Sequence, residues 1–204
     1  MQPFRFGLVL LAAGASVRMG RPKQLIEVGG QPLVVRAVKV ALASAAWPVV
    51  VVLGANAEKI RPLLARLPVF IAENPTWTEG MASSLRTGLQ TLQSFSRALD
   101  AVLVALVDQP AFSAGVIGQL VAAQRSSGRS IAAARYDGHA GVPALFLRRH
   151  FATLAALEGD AGARTLLSRC AVDVTPVDLP ELALDLDTPA DFARWQPGLE
   201  SGGG

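Results

Sequence analysis

"LVLLAAGASVRMGRPKQL", residues 8–25, opens as an unbroken apolar run, breaks into small residues and glycine, then carries Arg18, Arg21 and Lys23 within six positions. An apolar run without alternation reads as a strand buried on both faces. A strand that passes into a glycine-containing loop leaves backbone N–H groups unpaired, and such groups with cations beside them suit a polyanion such as a nucleoside triphosphate. The loop is neither of the two common phosphate motifs. No G-x-G-x-x-G follows the strand, and Arg21 stands where a P-loop has its lysine. On spacing alone the alternative is a basic surface loop.

Outward from this stretch the same pattern repeats. "PVVVVLG" (48–54), "VFIAE" (69–73) and "AVLVALVD" (101–108) read as further buried strands. Between them, residues 32–45, 57–67, 79–93 and 113–127 carry apolar residues at the three- and four-residue spacing of amphipathic helices. Pro32 suits a first helical turn and Ser113 an N-cap. The alternation predicts an α/β fold with a mostly parallel, doubly wound sheet and helices on both faces. After residue 130 a smaller β/α excursion is expected. It has two strands around the turn "DGHAG", short helices near 148–157 and 160–169, a strand in "AVDVTPVDL" and a closing helix in "DTPADFARW". One domain is expected over 1–195, with the polar, glycine-rich residues 196–204 as a tail.

Composition narrows the function classes. Of 204 residues, 51% are hydrophobic and 17% charged, which favours a packed globule over disorder. The net charge of +3 is carried by scattered residues, so a local anion site fits better than a nucleic-acid-binding face. Cys170 is the single cysteine, which excludes an intramolecular disulfide and a cysteine-based zinc site. His139 and His150 have no acidic or cysteine partner in a metal-binding motif. No G-x-S-x-G elbow supports a serine triad. The apolar run at 6–15 lacks a basic leader and falls short of the ~20 residues that span a bilayer, so a cytoplasmic protein away from membranes is expected.

Ligands of doubly wound sheets sit beyond the carboxyl ends of the strands, where the first loop lies. Its Ala12, Ala13, Gly14, Ser16 and Gly20 let a base and phosphates approach the backbone, and Arg18 and Lys23 can offset a triphosphate's charge. Asp108 in "VDQP" should emerge at the same end of the sheet, as a carboxylate suited to Mg²⁺ or as a plain turn residue. In "DLDTPADF", Asp185 and Asp187 point to one side if the segment is extended, and one of them can complete a metal site with Asp108. The alternative is a helix-capping segment with Pro189 at its first position. "GMASS" puts Gly80, Ser83 and Ser84 at a helix start, where they can read a base edge. Trp77 is expected to fill the core, with a lid over the site as the alternative.

Together these segments resemble a known family. "LAAGASVRMGRPKQL" resembles the signature of nucleotidyltransferases with a GT-A-like Rossmann fold, and "NPTWTEGMASSLRTGL", "LVDQP", "GVPALF", "LEGDAGARTLL" and "DLDTPADF" follow in the order of its molybdenum-cofactor cytidylyltransferase branch. The resemblance runs from about residue 7 to 195. It implies transfer of CMP from CTP to the phosphate of molybdenum-bearing molybdopterin, with release of pyrophosphate. Lys23 and Arg18 would act on the triphosphate, and Leu11 to Gly14 with Gly80, Ser83 and Ser84 would hold the nucleotide. Asp108 and Asp187 would hold Mg²⁺, with Asp185 as the alternative to Asp187. The Ala12-Ala13-Gly14 sequence favours CTP, with the Ala13 methyl filling space a purine needs. A receiving molybdoenzyme or its maturation chaperone is an implied partner. "DGHAGVP" departs from the family in having Ala140 and Val142 where relatives often carry a basic residue and a histidine. The rival readings are a nucleotidyltransferase for a sugar phosphate or other small phosphate, and an NTP-binding regulator without turnover.

Overall fold

The computed structural model describes residues 4–195. Its strands are β1 (Phe6–Ala12), a two-residue hairpin of β2 (Glu27–Val28) and β3 (Gln31–Pro32), β4 (Val49–Leu53), β5 (Phe70–Glu73), β6 (Ala101–Leu106), β7 (Ile131–Tyr136), β8 (His139–Leu147) and β9 (Val174–Asp178). Apart from the hairpin they form one seven-stranded sheet in the order β5-β4-β1-β6-β8-β7-β9. Neighbours are parallel throughout except at β8, which runs against both β6 and β7. The reversal has a local cause. Asp137 and Gly138, between β7 and β8, both take positive φ (49° and 75°), the turn that closes a tight antiparallel hairpin.

Helices α1 (Leu33–Leu42), α2 (Ala57–Leu64), α3 (Met81–Phe95), α4 (Ala114–Ser127), α5 (Phe151–Ala155), α6 (Ala163–Arg169) and α7 (Pro189–Arg194) fill the connections. The expected doubly wound α/β architecture is the observed one. β1 lies in mid-sheet with all seven residues buried, and its side chains alternate between two cores. Phe6, Leu8, Leu10 and Ala12 join one core with residues of α1, α2 and α4, and Val9 and Leu11 join the other with α3, α5 and α6. A fully buried Leu or Val contributes roughly 1.5–3 kcal/mol, so the strand that leads into the cationic loop is firmly anchored. α3 presses closely on it: a Cβ on Gly88 would lie 2.4 Å from a Val9 methyl.

Helix ends follow their chemistry. Ser113 Oγ accepts from the Val116 N–H at 3.3 Å and caps α4 as expected. Thr188 and Asp191 form a reciprocal capping box on α7, with Pro189 at its start. Pro32, expected inside the first helix, instead ends β3, and α1 begins one residue later. The tail at 196–204 lies outside the described residues. No helix among the described residues is long and apolar enough to cross a membrane.

Candidate active site

β1 and β6 are parallel neighbours, so the chain leaves both at the same end of the sheet. Val107 N–H donates back to Leu11 O at 3.2 Å, and Leu186 N–H donates to Asp108 O at 2.9 Å. The second bond brings segment 185–187 against the end of β6. The first loop is held by Gln24, which is fully buried and donates from Nε2 to Ala12 O (2.9 Å) and Gly14 O (2.8 Å). Ser16 takes the left-handed conformation (φ 59°), unfavourable for a non-glycine by about 1–2 kcal/mol. Its Oγ accepts from Lys23 N–H at 3.1 Å and lies 3.4 Å from Gln24 Oε1. At about 1 kcal/mol per hydrogen bond, these contacts offset the strain. Nothing in the sequence reading singled out Gln24. Its signal was a polar residue between Lys23 and Leu25 in a segment that must turn back under the strand end.

Four charged side chains meet there. Lys23 Nζ lies 2.5 Å from Asp108 Oδ2 and 2.7 Å from Asp187 Oδ1. Arg18 Nη2 lies 2.6 Å from Asp187 Oδ2, largely in solvent. Burial alone would lower the Lys23 pKa, but its attraction to Asp108 and Asp187 and its hydrogen bonds with both raise it above the ordinary 10.5. Lys23 is therefore a full cation held between two carboxylates.

Asp108 Oδ1 is buried and has no hydrogen-bond partner. A hard, unpartnered carboxylate oxygen beside a second carboxylate suits a divalent cation that completes its shell with phosphate oxygens and water. No group of three or more His, Cys, Asp or Glu is placed to hold a metal among the described residues. The protein thus offers two carboxylates, Asp108 and Asp187. Asp185, expected on the same side as Asp187, parts from it. Asp187 N–H folds back onto Asp185 O at 3.1 Å, so the segment makes a tight turn instead of a strand. Asp185 lines an adjoining chamber instead, and burial, with Asp108 and Asp187 nearby, raises its pKa from 3.8 to about 6.

Beside the charged centre lies a cavity of about 380 Å³. Leu11, Ala12, Ala13, Gly14 and Lys23 line one side, and Trp77, Gly80 and Ser84 line another. Gly80 sits at φ 105°, and a Cβ there would lie 2.4 Å from the Gly159 carbonyl, so segment 157–163 rests directly on the start of α3. Ala82 N–H donates to Gly159 O at 3.1 Å across the same contact. Ser83 lies behind the wall, with its hydroxyl bonded to Thr76 O, Gly80 O and the Asn74 amide. Ser16, Arg18 and Asp187 likewise stand outside the lining. Trp77, expected in the core, is half-buried at the cavity because Gly54 leaves room for it beside Ala13. The Ala13 methyl packs toward Gly54 and is itself mostly covered. Asp160 also lines the cavity, and the sequence reading gave it no role.

A family model described as MobA-like NTP transferase domain matches residues 8–182. The chain is 36% identical over 199 residues to nicotine blue oxidoreductase of Paenarthrobacter nicotinovorans, covering 91% of this chain and 94% of that protein. Among solved structures it is similar to the Mycobacterium sp. strain JC1 homolog of Rv0371c, at 29% identity and TM-score 0.80, over 93% of this chain and 94% of that one. Rv0371c of Mycobacterium tuberculosis, solved in complex with manganese, matches at 25% identity and TM-score 0.75, over 93% and 97% of the two chains. By the extent of the family match and the identity to this relative, the chain belongs to the MobA-like NTP transferase domain family.

Proposed function

We propose that the protein transfers CMP from CTP to the phosphate of molybdenum-bearing molybdopterin and releases pyrophosphate. The observation that carries the reading is Lys23 Nζ held between Asp108 and Asp187 at the edge of a nucleotide-sized cavity. The acceptor phosphate oxygen attacks the α-phosphorus in line, and the bond to the departing pyrophosphate breaks. No protein nucleophile is required, because positioning and electrostatics dominate such a displacement. Lys23 would neutralise charge that grows on the α-phosphate. Arg18, in solvent at the rim, would meet the outer phosphates, while the Leu11–Gly14 backbone, Gly80 and Ser84 would hold base and ribose. Mg²⁺ on Asp108 and Asp187 would screen the triphosphate and polarise the bond under attack.

CTP is favoured over the purine nucleotides by the Ala12-Ala13-Gly14 sequence on the cavity wall, and molybdopterin by the ordered series of motifs from residue 7 to 195. The test is pyrophosphate release from CTP and Mg²⁺ with and without molybdopterin. Release that depends on molybdopterin supports the reading, whereas release with sugar phosphates alone moves the acceptor to that class. Nucleotide binding without release would point to a regulator. The name of the 36% identical relative supports a second reading, a reductase. Steady NADPH oxidation by the purified protein with a dye acceptor would favour it.

A further inference from the structure

Lys23 heads the short turn Lys23–Leu25, and its backbone is fixed on both sides. Its N–H donates to Ser16 Oγ at 3.1 Å and its O accepts from Ile26 N–H at 3.1 Å, so movement is left to the side chain. That side chain places Nζ 2.5 Å from Asp108 Oδ2 and 2.7 Å from Asp187 Oδ1, the two carboxylates that suit a divalent cation. The unpartnered, buried Oδ1 of Asp108 supports that fit. Mg²⁺ holds its oxygen ligands at about 2.1 Å and needs the space directly between them. The ammonium fills that space. Two cations against the same pair of oxygens repel each other strongly where water is thin, and the Lys23 and Asp108 side chains are only 14% and 12% exposed.

A lysine carries its charge on a flexible four-carbon stem, and Lys23 also lines the nucleotide cavity. A triphosphate in that cavity presents anionic oxygens to the same Nζ, and the hydrogen bonds they accept are of the same charge-assisted kind that the carboxylates accept. The exchange keeps charges matched. Asp108 and Asp187 give up the ammonium as they receive a divalent cation, and the triphosphate takes the ammonium. We propose that Lys23 is the counter-ion that closes the Asp108–Asp187 metal site until a triphosphate draws it away, so that metal and nucleotide are taken up together. Lys23 then selects the metal–nucleotide complex over the bare ion. This role is separate from neutralising charge on the α-phosphate, and it rests on the nucleotidyl-transfer reading of the site.

Mn²⁺ binding, followed by the electron-spin resonance of the free ion, tests it without turnover. Wild type, Lys23→Met and Arg18→Met are titrated alone and with an α,β-methylene analogue of CTP that cannot be turned over. Without the analogue, Lys23→Met should bind Mn²⁺ about tenfold or more tightly than wild type, because its carboxylates no longer hold an ammonium. Arg18→Met also removes a cation from Asp187, but Arg18 is 73% exposed and does not stand between the carboxylates, so its Mn²⁺ affinity should stay within about threefold of wild type. With the analogue bound, wild type and Lys23→Met should bind Mn²⁺ alike. Lys23→Gln, which keeps a hydrogen-bond donor without the charge, takes the place of Lys23→Met if that variant does not fold. Equal Mn²⁺ affinity in wild type and the Lys23 variant without the analogue, or an equal gain in Arg18→Met, overturns the proposal. If wild type nonetheless binds Mn²⁺ and the analogue together, the transfer reading stands. A wild type that binds no analogue overturns both the release of Lys23 by nucleotide and the transfer reading.

Discussion

Lys23 and Asp108, 85 positions apart in the sequence, meet with Nζ 2.5 Å from Oδ2, and the same Nζ reaches Asp187 Oδ1 at 2.7 Å. The lysine thus occupies the gap between the two carboxylates proposed to hold the metal. One consequence concerns stability, because both Lys23 and Asp108 are largely withdrawn from water. Lys23→Ala leaves two facing carboxylates uncompensated, and removing one partner of a buried pair costs about 3 kcal/mol or more. The variant's Tm should fall, and added Mg²⁺ should raise it more than it raises the wild type's. In turnover, kcat should drop roughly a hundredfold with a smaller change in KM. An unchanged kcat with a raised KM would reduce Lys23 to a binding role.

Asp108→Asn makes one proposed ligand neutral, so activity should require much higher Mg²⁺. Asp187→Asn should behave likewise. Asp185→Asn should not, because its side chain lies in the adjoining chamber. Mg²⁺ titration of activity in the three variants checks the assignment. An Asp185→Asn protein that alone shifts the Mg²⁺ requirement would exchange the roles of Asp185 and Asp187.

The raised pKa of Asp185 gives a signed pH effect. Its folded carboxyl binds a proton near pH 6 and the unfolded one near 3.8. Between these values the folded chain holds a proton that the unfolded chain lacks, so the Asp185 contribution to stability grows as pH falls through 6 and is lost as pH rises through it. Above pH 6 the ionised group is a burden. The full shift corresponds to about 3 kcal/mol, and partial exposure to solvent reduces it to about 1–2 kcal/mol. Asp185→Asn should therefore raise Tm at about pH 7–8 by more than at about pH 5. Equal shifts at both pH values would contradict the raised pKa.

How much of this was legible in the sequence varies by element. The buried strands were, because an apolar run such as Val49–Leu53 fits only a sheet covered on both faces. Lys23 and Asp108 were legible as candidates, since each follows directly on such a strand or its loop. The parting of Asp185 from Asp187 was not, because it depends on a turn set by Leu186 N–H bonding to Asp108 O, a contact between segments far apart in the sequence. Gln24 and Trp77 escaped for the same reason. A buried glutamine and a half-buried tryptophan are defined by what other segments leave open beside them.

Base choice is tested at Ala13. Its methyl packs toward Gly54 and Trp77, so Ala13→Gly should loosen the wall more than enlarge the cavity itself. The preference for CTP over GTP, measured as a ratio of kcat/KM, should narrow by about tenfold or less, at the low end of what one methyl in a pocket is worth. A ratio that does not move removes Ala13 as the gate.

The central claim is tested most directly by CTP labelled at the α-phosphate, incubated with Mg²⁺ and molybdenum-bearing molybdopterin, with the label followed into the acceptor. Wild type should move the label to a molybdopterin–CMP product with one pyrophosphate released per transfer, and Lys23→Ala should move it roughly a hundredfold more slowly. Label that stays in CTP, or that is released as free CMP at the same rate with and without the acceptor, would contradict it.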